Sequence, residues 1–359
     1  MTMLPIIQSL RVRPVLAPMP RPLRTASGAI PAAPLVLIDV QTDQDVVGRA
    51  YIFCYTPLAL KPLCSFLDNL GSLIVGKPVA PADRFLDLSR TFRLLGRQGL
   101  VGMALSGLDM ALWDALGRAA DRPVVELIGG TAKSVPAYDS FGLVDPVADR
   151  AMLEASVGAG FRAIKIKIGE RSGAEDAAMV GAIRDILGAD VQLMVDLNQS
   201  QSAMEAIRRI ERLDAYDLTW VEEPVAAEDL EGHARPRRVA GPRPDRRELV
   251  VPGGHGPCGG GARLRLGDAR PDEDRRHQGW LRAMALAEAA SLPLSSHLFI
   301  EASAHALAVS PTGHFLEYLD MAGAILAEPV RPAGGMVTAR GPGLGIAWNE
   351  DAVARFAVA

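Results

Sequence analysis

The sequence predicts an α/β protein. It reads as a (β/α) TIM-like barrel, with an N-terminal α+β capping domain completed by the C-terminal tail. Three observations carry this. Strand-like and helical runs alternate four times between VPAYDS and LTWVEEP, and repeated β-then-α units imply parallel strands with crossover helices. The first ~130 residues instead run strands first and helices after, an α+β order. The final stretch, with Gly334-Gly335 and GPGLGIAW, is too irregular for another barrel unit and is expected to pack back on the first domain. The implied division is 1–131 capping domain, 132–325 barrel and 326–359 tail.

In the first domain, Ala33 to Val40 is a short apolar, β-branched run and reads as a strand. Val46 to Phe53 looks like its hairpin partner. Ala59 to Ile74 is amphipathic and helical. Leu105 to Ala119 is a second helix, with Asp109, Asp114 and Arg118 opposite its apolar face. The barrel units follow: VPAYDS then 148–159, FRAIKIKIG then 176–187, VQLMVDLN then 203–213, and LTWVEEP. After Trp280, WLRAMALAEAASL is a helix and PLSSHLF a strand. No Gly-rich phosphate loop follows any strand, which argues against the rival, a nucleotide-binding doubly wound sheet.

The chain has 359 residues, 49% of them hydrophobic, enough for a large barrel plus a smaller domain. A net charge of −4 points to no nucleic-acid partner. Cys54, Cys64 and Cys258 show no CxxC spacing and read as reduced thiols. The opening residues lack the apolar region of a signal peptide, and no uninterrupted apolar run reaches the ~18–20 residues of a membrane span. A cytoplasmic protein without a membrane partner is expected.

Four constellations stand at the ends of the expected barrel strands, where such folds hold their chemistry. In Lys165-Ile166-Lys167 both lysines share one face, because strand side chains alternate, while Ile164, Ile166 and Ile168 point to the covering helices. Two ammonium groups inside a barrel need counter-charge, and their repulsion favours the neutral amine a base requires. Asp196-Leu197-Asn198 likewise puts two polar groups on one face. In Glu222-Glu223-Pro224 one glutamate faces in and the other away. Asp196 and Glu222 form a hard oxygen site suited to Mg²⁺. The fourth group is Ser295-Ser296-His297, with Glu317 twenty residues later. For each, the ordinary alternative is a solvated strand end, a helix cap or a structural histidine.

Together with APLVLIDV, FCYTPLAL, GLDMALWDALGRA, PAYDSFG and HFLEYLD, these motifs resemble the mandelate racemase subgroup of the enolase superfamily over nearly the whole chain. The resemblance implies the modified barrel of that superfamily, Mg²⁺ as cofactor and a homo-oligomer. It implies Lys167 and His297 as bases on opposite faces of the substrate, and Lys165 beside the substrate carboxylate. Asp196 and Glu222 would be metal ligands, and Asn198 and Ser140 would contact substrate oxygens. Glu317 would be a protonated acid donating a hydrogen bond as the α-proton leaves. Leu23 and Ile30 fall in the early loop that covers the substrate's side group, and Tyr55 in a second such segment. Apolar residues there favour a mandelate-like 2-hydroxy acid over a sugar acid. The reaction implied is racemisation of a small 2-hydroxy carboxylate. Dehydration of a sugar acid by the same bases is the alternative.

One stretch departs from this pattern. Residues 234–277 contain no Ile, Phe, Met or Lys and are crowded with Arg, Gly and Pro. The family would place a Gly-Glu-Asn segment here, carrying a third metal ligand, and a Pro-Asp segment followed by Lys-Ile-Gly-Gly, whose Asp orients the late histidine. Glu248 is the nearest remaining candidate ligand. Codons for Arg246 to Val250, slipped by one base, can read Gly-Glu-Asn-Trp-Trp. Codons for Asp268 to His277, in the same slipped frame, can read Met-Pro-Asp-Arg-Met-Lys-Ile-Gly-Gly. The segment is therefore expected to be written out of frame. As written it supplies little apolar core, and a chain carrying it is expected to fold poorly or be inactive.

Overall fold

The computed structural model describes residues 4–25, 28–96, 98–229, 231–233 and 279–358, and the backbone of 248–250. The frame-slipped reading of 234–277 and Cys258 therefore lie outside the described side chains.

The capping domain opens with an antiparallel sheet, β1 (Ile7–Thr25), β2 (Gly28–Thr42) and β3 (Val47–Phe53), in that order. Both early strands are longer than the sequence suggests. Pro14, Pro18, Pro20 and Pro22 hide β1 from pattern reading, yet it is an edge strand, where a missing N–H is tolerated. The register shifts between Pro18 and Leu23. Four helices follow: α1 (Leu60–Ile74), α2 (Pro81–Thr91), α3 (Gly99–Ala119) and the short α4 (Val124–Leu127). Helix α1 buries Leu60, Leu63, Leu67, Leu70 and Ile74, a 3–4-residue spacing that makes one apolar face. Helix α3 lies across β3 so closely that a Cβ on Gly48 would sit 2.1 Å from the Ala111 carbonyl oxygen. By length and composition α3 could cross a membrane. Most of it is buried in the protein instead, and Asp109 and Asp114 sit within it, so it is the core helix of this domain.

The barrel sheet contains β4 (Ser134–Leu143), β5 (Ala163–Lys167), β6 (Gln192–Asp196), β7 (Leu218–Glu222) and β8 (Glu248–Val250), all parallel and adjacent in that order. On the other side of β4 lies β9 (Leu316–Tyr318), also parallel. The segment 294–296 runs beside β9 through a bridge from Leu294 to Gly313 and a Ser296 N–H to Phe315 carbonyl bond. The full strand expected from PLSSHLF is thus only a short paired stretch, because Leu298 and Phe299 turn left-handed immediately after His297.

The crossover helices are α5 (Arg150–Gly158), α6 (Gly173–Leu187) and α7 (Ala203–Arg212), followed later by α8 (Gly279–Ala289) and α9 (Ile300–Val309). Ser172 with Glu175 and Ser202 with Glu205 close capping boxes that fix where α6 and α7 begin. Ile164, Ile166 and Ile168 are buried against this layer, the outward face expected of them. The tail contributes β10 (Met336–Thr338), antiparallel to the start of β4, and α10 (Glu350–Phe356). It also meets the capping domain. The Trp348 indole N–H donates to Asp39 at 2.7 Å, and Arg13 pairs with both Asp39 and Glu350.

Candidate active site

Strand register brings the polar residues to one level. Lys167 pairs with Asp196, Asp196 with Glu222, Ser140 with Lys165 and Tyr138 with Glu317. Adjacent parallel strands thus set their C-terminal side chains on one rim of the barrel.

Lys165 occupies the middle. It is buried, with Nζ 2.5 Å from Glu317 Oε1 and 3.2 Å from Glu222 Oε1, and 5.2 Å from the centre of the Tyr138 ring. Lys167 Nζ donates to Asp196 Oδ2 at 2.8 Å. Sequence reasoning expected the two ammonium groups to need counter-charge from substrate or protein, with their mutual repulsion favouring the neutral amine. The structure gives each its own carboxylate partner, so the protein itself supplies the counter-charge.

Asp196 also accepts from the Asn198 backbone N–H at 2.8 Å and from Asn198 Nδ2 at 2.9 Å. Asn198 and Gln199 adopt left-handed backbone, which folds the chain back over the strand end. Glu222 accepts from the Trp220 indole N–H at 3.2 Å. Trp220 lies two residues before Glu222, on the same strand face, a signal the sequence carried and the reading passed over. Glu223 does not simply face away. It turns left-handed, accepts from Gln199, and its carboxyl is raised above the usual range, by burial first and by Asp196 next.

Glu317 accepts from Ser140 Oγ at 2.7 Å and from the Leu298 backbone N–H at 3.2 Å, in addition to its pairing with Lys165. It stands here as an acceptor on both oxygens, whereas the resemblance cast it as a donating acid. A donating role requires a substrate to take over these partners. His297 Nε2 lies 3.8 Å from Glu317 Oε2, and the His297 side chain is 24% exposed, open to a ligand.

The early loop named from the resemblance is the end of the β1–β2 hairpin. Leu23 and Ile30 are register partners near its tip, and Leu23 is buried. Arg21 ties this tip to β4: it pairs with Asp139 at 2.7 Å, donates to the Ser140 carbonyl at 2.8 Å and lies 3.8 Å over the Phe141 ring. Nothing local marks Arg21, whose partners are more than a hundred residues away. Tyr55 is 44% exposed and its described ring contact is with Phe53 at 4.7 Å, not with the polar cluster. For Glu248, the register sets its backbone level with Trp220, while Val250 stands level with Glu222. Strand register therefore does not bring Glu248 to the level of the other two candidate ligands.

The donor set suits a hard divalent cation. Two ammonium groups face the carboxylates of Asp196, Glu222, Glu223 and Glu317. That excess of carboxylate over ammonium is largely held out of water and is costly unless a cation or a proton offsets it. Asp196 and Glu222 sit side by side on neighbouring strands. Among the described residues no group of three His, Cys, Asp or Glu closes a metal cage.

A barrel of parallel strands with a carboxylate–lysine rim, capped by an α+β domain, defines the enolase class of fold, and sequence comparison agrees. Residues 7–129 match the mandelate racemase / muconate lactonizing enzyme N-terminal domain, and residues 148–243 and 277–352 match the enolase C-terminal domain-like family. The chain belongs to the mandelate racemase / muconate lactonizing enzyme family. The C-terminal match breaks across 244–276.

Among its relatives is the 3,6-anhydro-α-L-galactonate cycloisomerase of Streptomyces coelicolor, 31% identical over 97% of this chain and 99% of that protein. The D-galactarolactone cycloisomerase of Agrobacterium fabrum is 30% identical over 93% of this chain and 94% of its own. An enolase from Bradyrhizobium, crystallised with magnesium and mandelic acid, is 48% identical over the full length of both chains and superposes with a TM-score of 0.89.

Proposed function

We propose that this protein is a Mg²⁺-dependent racemase of a mandelate-like 2-hydroxy acid. The observation that carries the reading is the placement of Lys167 and His297. They stand on strand ends separated by β4 and β9, Lys167 on β5 with the buried Lys165 and His297 3.8 Å from Glu317. The Bradyrhizobium enolase complexed with mandelic acid supports the substrate class. So does the apolar tip formed by Leu23 and Ile30.

Asp196 and Glu222 would hold Mg²⁺, which supplies positive charge beside the substrate carboxylate when bound. Lys165 Nζ would neutralise that carboxylate as the α-proton leaves, and Ser140 Oγ would be a further hydroxyl donor beside it. One base takes the α-proton from its face, and the opposite base delivers a proton to the other. Removal and return by a single base gives exchange without inversion. An α-proton beside a carboxylate is weakly acidic, so the developing dianion needs these charges already in place.

Dehydration of a sugar acid by the same bases is the second reading. It is favoured by an L-talarate/galactarate dehydratase of Salmonella typhimurium that is 36% identical over 39% of this chain. Incubating the protein made from the frame-restored gene with each mandelate enantiomer and Mg²⁺ in D₂O separates the two. Loss of the α-proton signal with loss of optical rotation is expected. A 2-keto acid from a panel of sugar acids, with mandelate untouched, would sink the racemase reading.

A further inference from the structure

The corner that carries His297 is held from the capping domain. Leu298 and Phe299 both adopt left-handed backbone, with φ of 60° and 49°. Two consecutive bulky residues in that region persist only where surrounding contacts impose it. Those contacts are specific. Ser303 Oγ donates to the Leu298 carbonyl at 2.7 Å, and the Leu298 N–H donates to Glu317 at 3.2 Å. The Phe299 ring packs on Tyr51 of β3, with centroids 5.5 Å apart. Tyr51 Oη donates to Glu301 Oε2 at 2.7 Å, and Glu301 lies in the first turn of α9, directly after the corner. Both side chains are buried. Burial above all, then Glu301 and Asp320, keeps Tyr51 in its neutral, donating form.

We infer that Tyr51 and Glu301 are positioning residues for His297, a clamp by which the capping domain sets the reach of one of the two bases. Neither touches the polar cluster through any contact described above. They act through Phe299 and the start of α9. A catalytic base tolerates little displacement, so loosening this corner has to lower the chemistry on the His297 face while leaving Lys167, seated on β5, in place.

The inference rests on the two-base reading, and its test separates the two. First, the enantiomer whose α-proton exchange is lost in His297→Asn identifies the His297 face. In Glu301→Ala, exchange on that face is expected to fall about 100-fold in kcat, with the Lys167 face within about twofold. Glu301→Gln, which still accepts from Tyr51, is expected to recover most of the loss. Tyr51→Phe, which keeps the ring on Phe299, gives a milder version if Glu301→Ala folds poorly. Second, the His297 Cε1–H magnetic resonance signal, assigned with His297→Asn, is expected to shift or broaden in Glu301→Ala and to return in Glu301→Gln. Equal loss on both faces, or an unmoved His297 signal, overturns the clamp. Absence of exchange from either enantiomer in the otherwise unmodified product of the frame-restored gene overturns the racemase reading instead, and the resonance then decides the clamp alone.

Discussion

Lys165 Nζ and Glu317 Oε1 lie 2.5 Å apart across the barrel interior, with Glu222 on the other side of the same ammonium at 3.2 Å. All three side chains are at most 2% exposed. Removing one partner of a buried pair strands the other's charge, which costs about 3–5 kcal/mol. Lys165→Met is therefore expected to destabilise the protein by about that amount, since it leaves two carboxylates. Added Mg²⁺ should recover part of the loss by supplying positive charge beside Glu222. Thermal unfolding of both proteins with and without Mg²⁺ measures this. A change well under ~1 kcal/mol would mean the cluster is not held as buried ions.

Lys167 makes a different case, because its ammonium is tied to Asp196 at the rim rather than sunk between acids. Lys167→Met is expected to abolish α-proton exchange from one enantiomer by about 10³-fold, in the range a general base contributes, and to leave exchange from the other enantiomer to His297. Racemisation, which needs both bases, should disappear. Proton loss in D₂O, followed for each enantiomer separately, reports this. Equal loss from both enantiomers would remove Lys167 from the role of a one-face base.

Much of this site was legible in the sequence because period-2 alternation is a local rule. Lys165 and Lys167 on one face, with Ile164, Ile166 and Ile168 on the other, follow from AIKIKI alone and appear as such. The same rule names Asp196 and Glu222 at strand ends. What it does not give is partner choice. That Lys165 would reach Glu222 on β7 and Glu317 on β9 depends on barrel closure, which no local pattern encodes. Arg21 reaching Asp139, and Tyr51 reaching Glu301, are likewise contacts between distant stretches of chain. Strand β1 was missed in extent because its prolines suppress the strand signal, although an edge position removes the physical objection to them. The expected strand at PLSSHLF stopped short because two left-handed residues follow His297 and start α9.

His305 gives a pH dependence of stability. It is buried on α9, and its Nδ1 accepts the Val125 backbone N–H at 3.0 Å, which ties α9 to α4 and requires the lone pair that protonation removes. Burial lowers its pKa from 6.5 to about 4. Between those values the unfolded chain binds the proton and the folded protein does not, so stability falls as pH drops from 6.5 towards 4 and levels off below. The full contribution is about 3 kcal/mol, to order of magnitude. His305→Gln is expected to flatten that part of the profile, at some cost in stability near neutral pH. Denaturant unfolding at several pH values checks this. An unchanged slope in the variant would assign the acid sensitivity to other groups.

The last prediction concerns the stretch that the family match passes over, 244–276. On either side the match continues to the end of the fold, so the barrel's history is intact on both flanks. Within it, two separate pieces can be coded so that one slipped frame reads Gly-Glu-Asn-Trp-Trp and Met-Pro-Asp-Arg-Met-Lys-Ile-Gly-Gly. We expect sequencing of the gene across codons 233 to 279 to restore that frame, and the mass of the natural product to differ from that of the chain as written. The restored product should bind Mg²⁺ by calorimetry and exchange the α-proton. A chain made to the written sequence should lose exchange, because it lacks the Gly-Glu-Asn ligand segment and the aspartate that would orient His297. If the mass instead matches the written sequence and that protein still shows Mg²⁺-dependent exchange, the slipped-frame reading fails. Asp196 and Glu222 would then have to hold the cation without the ligand that the family's pattern supplies.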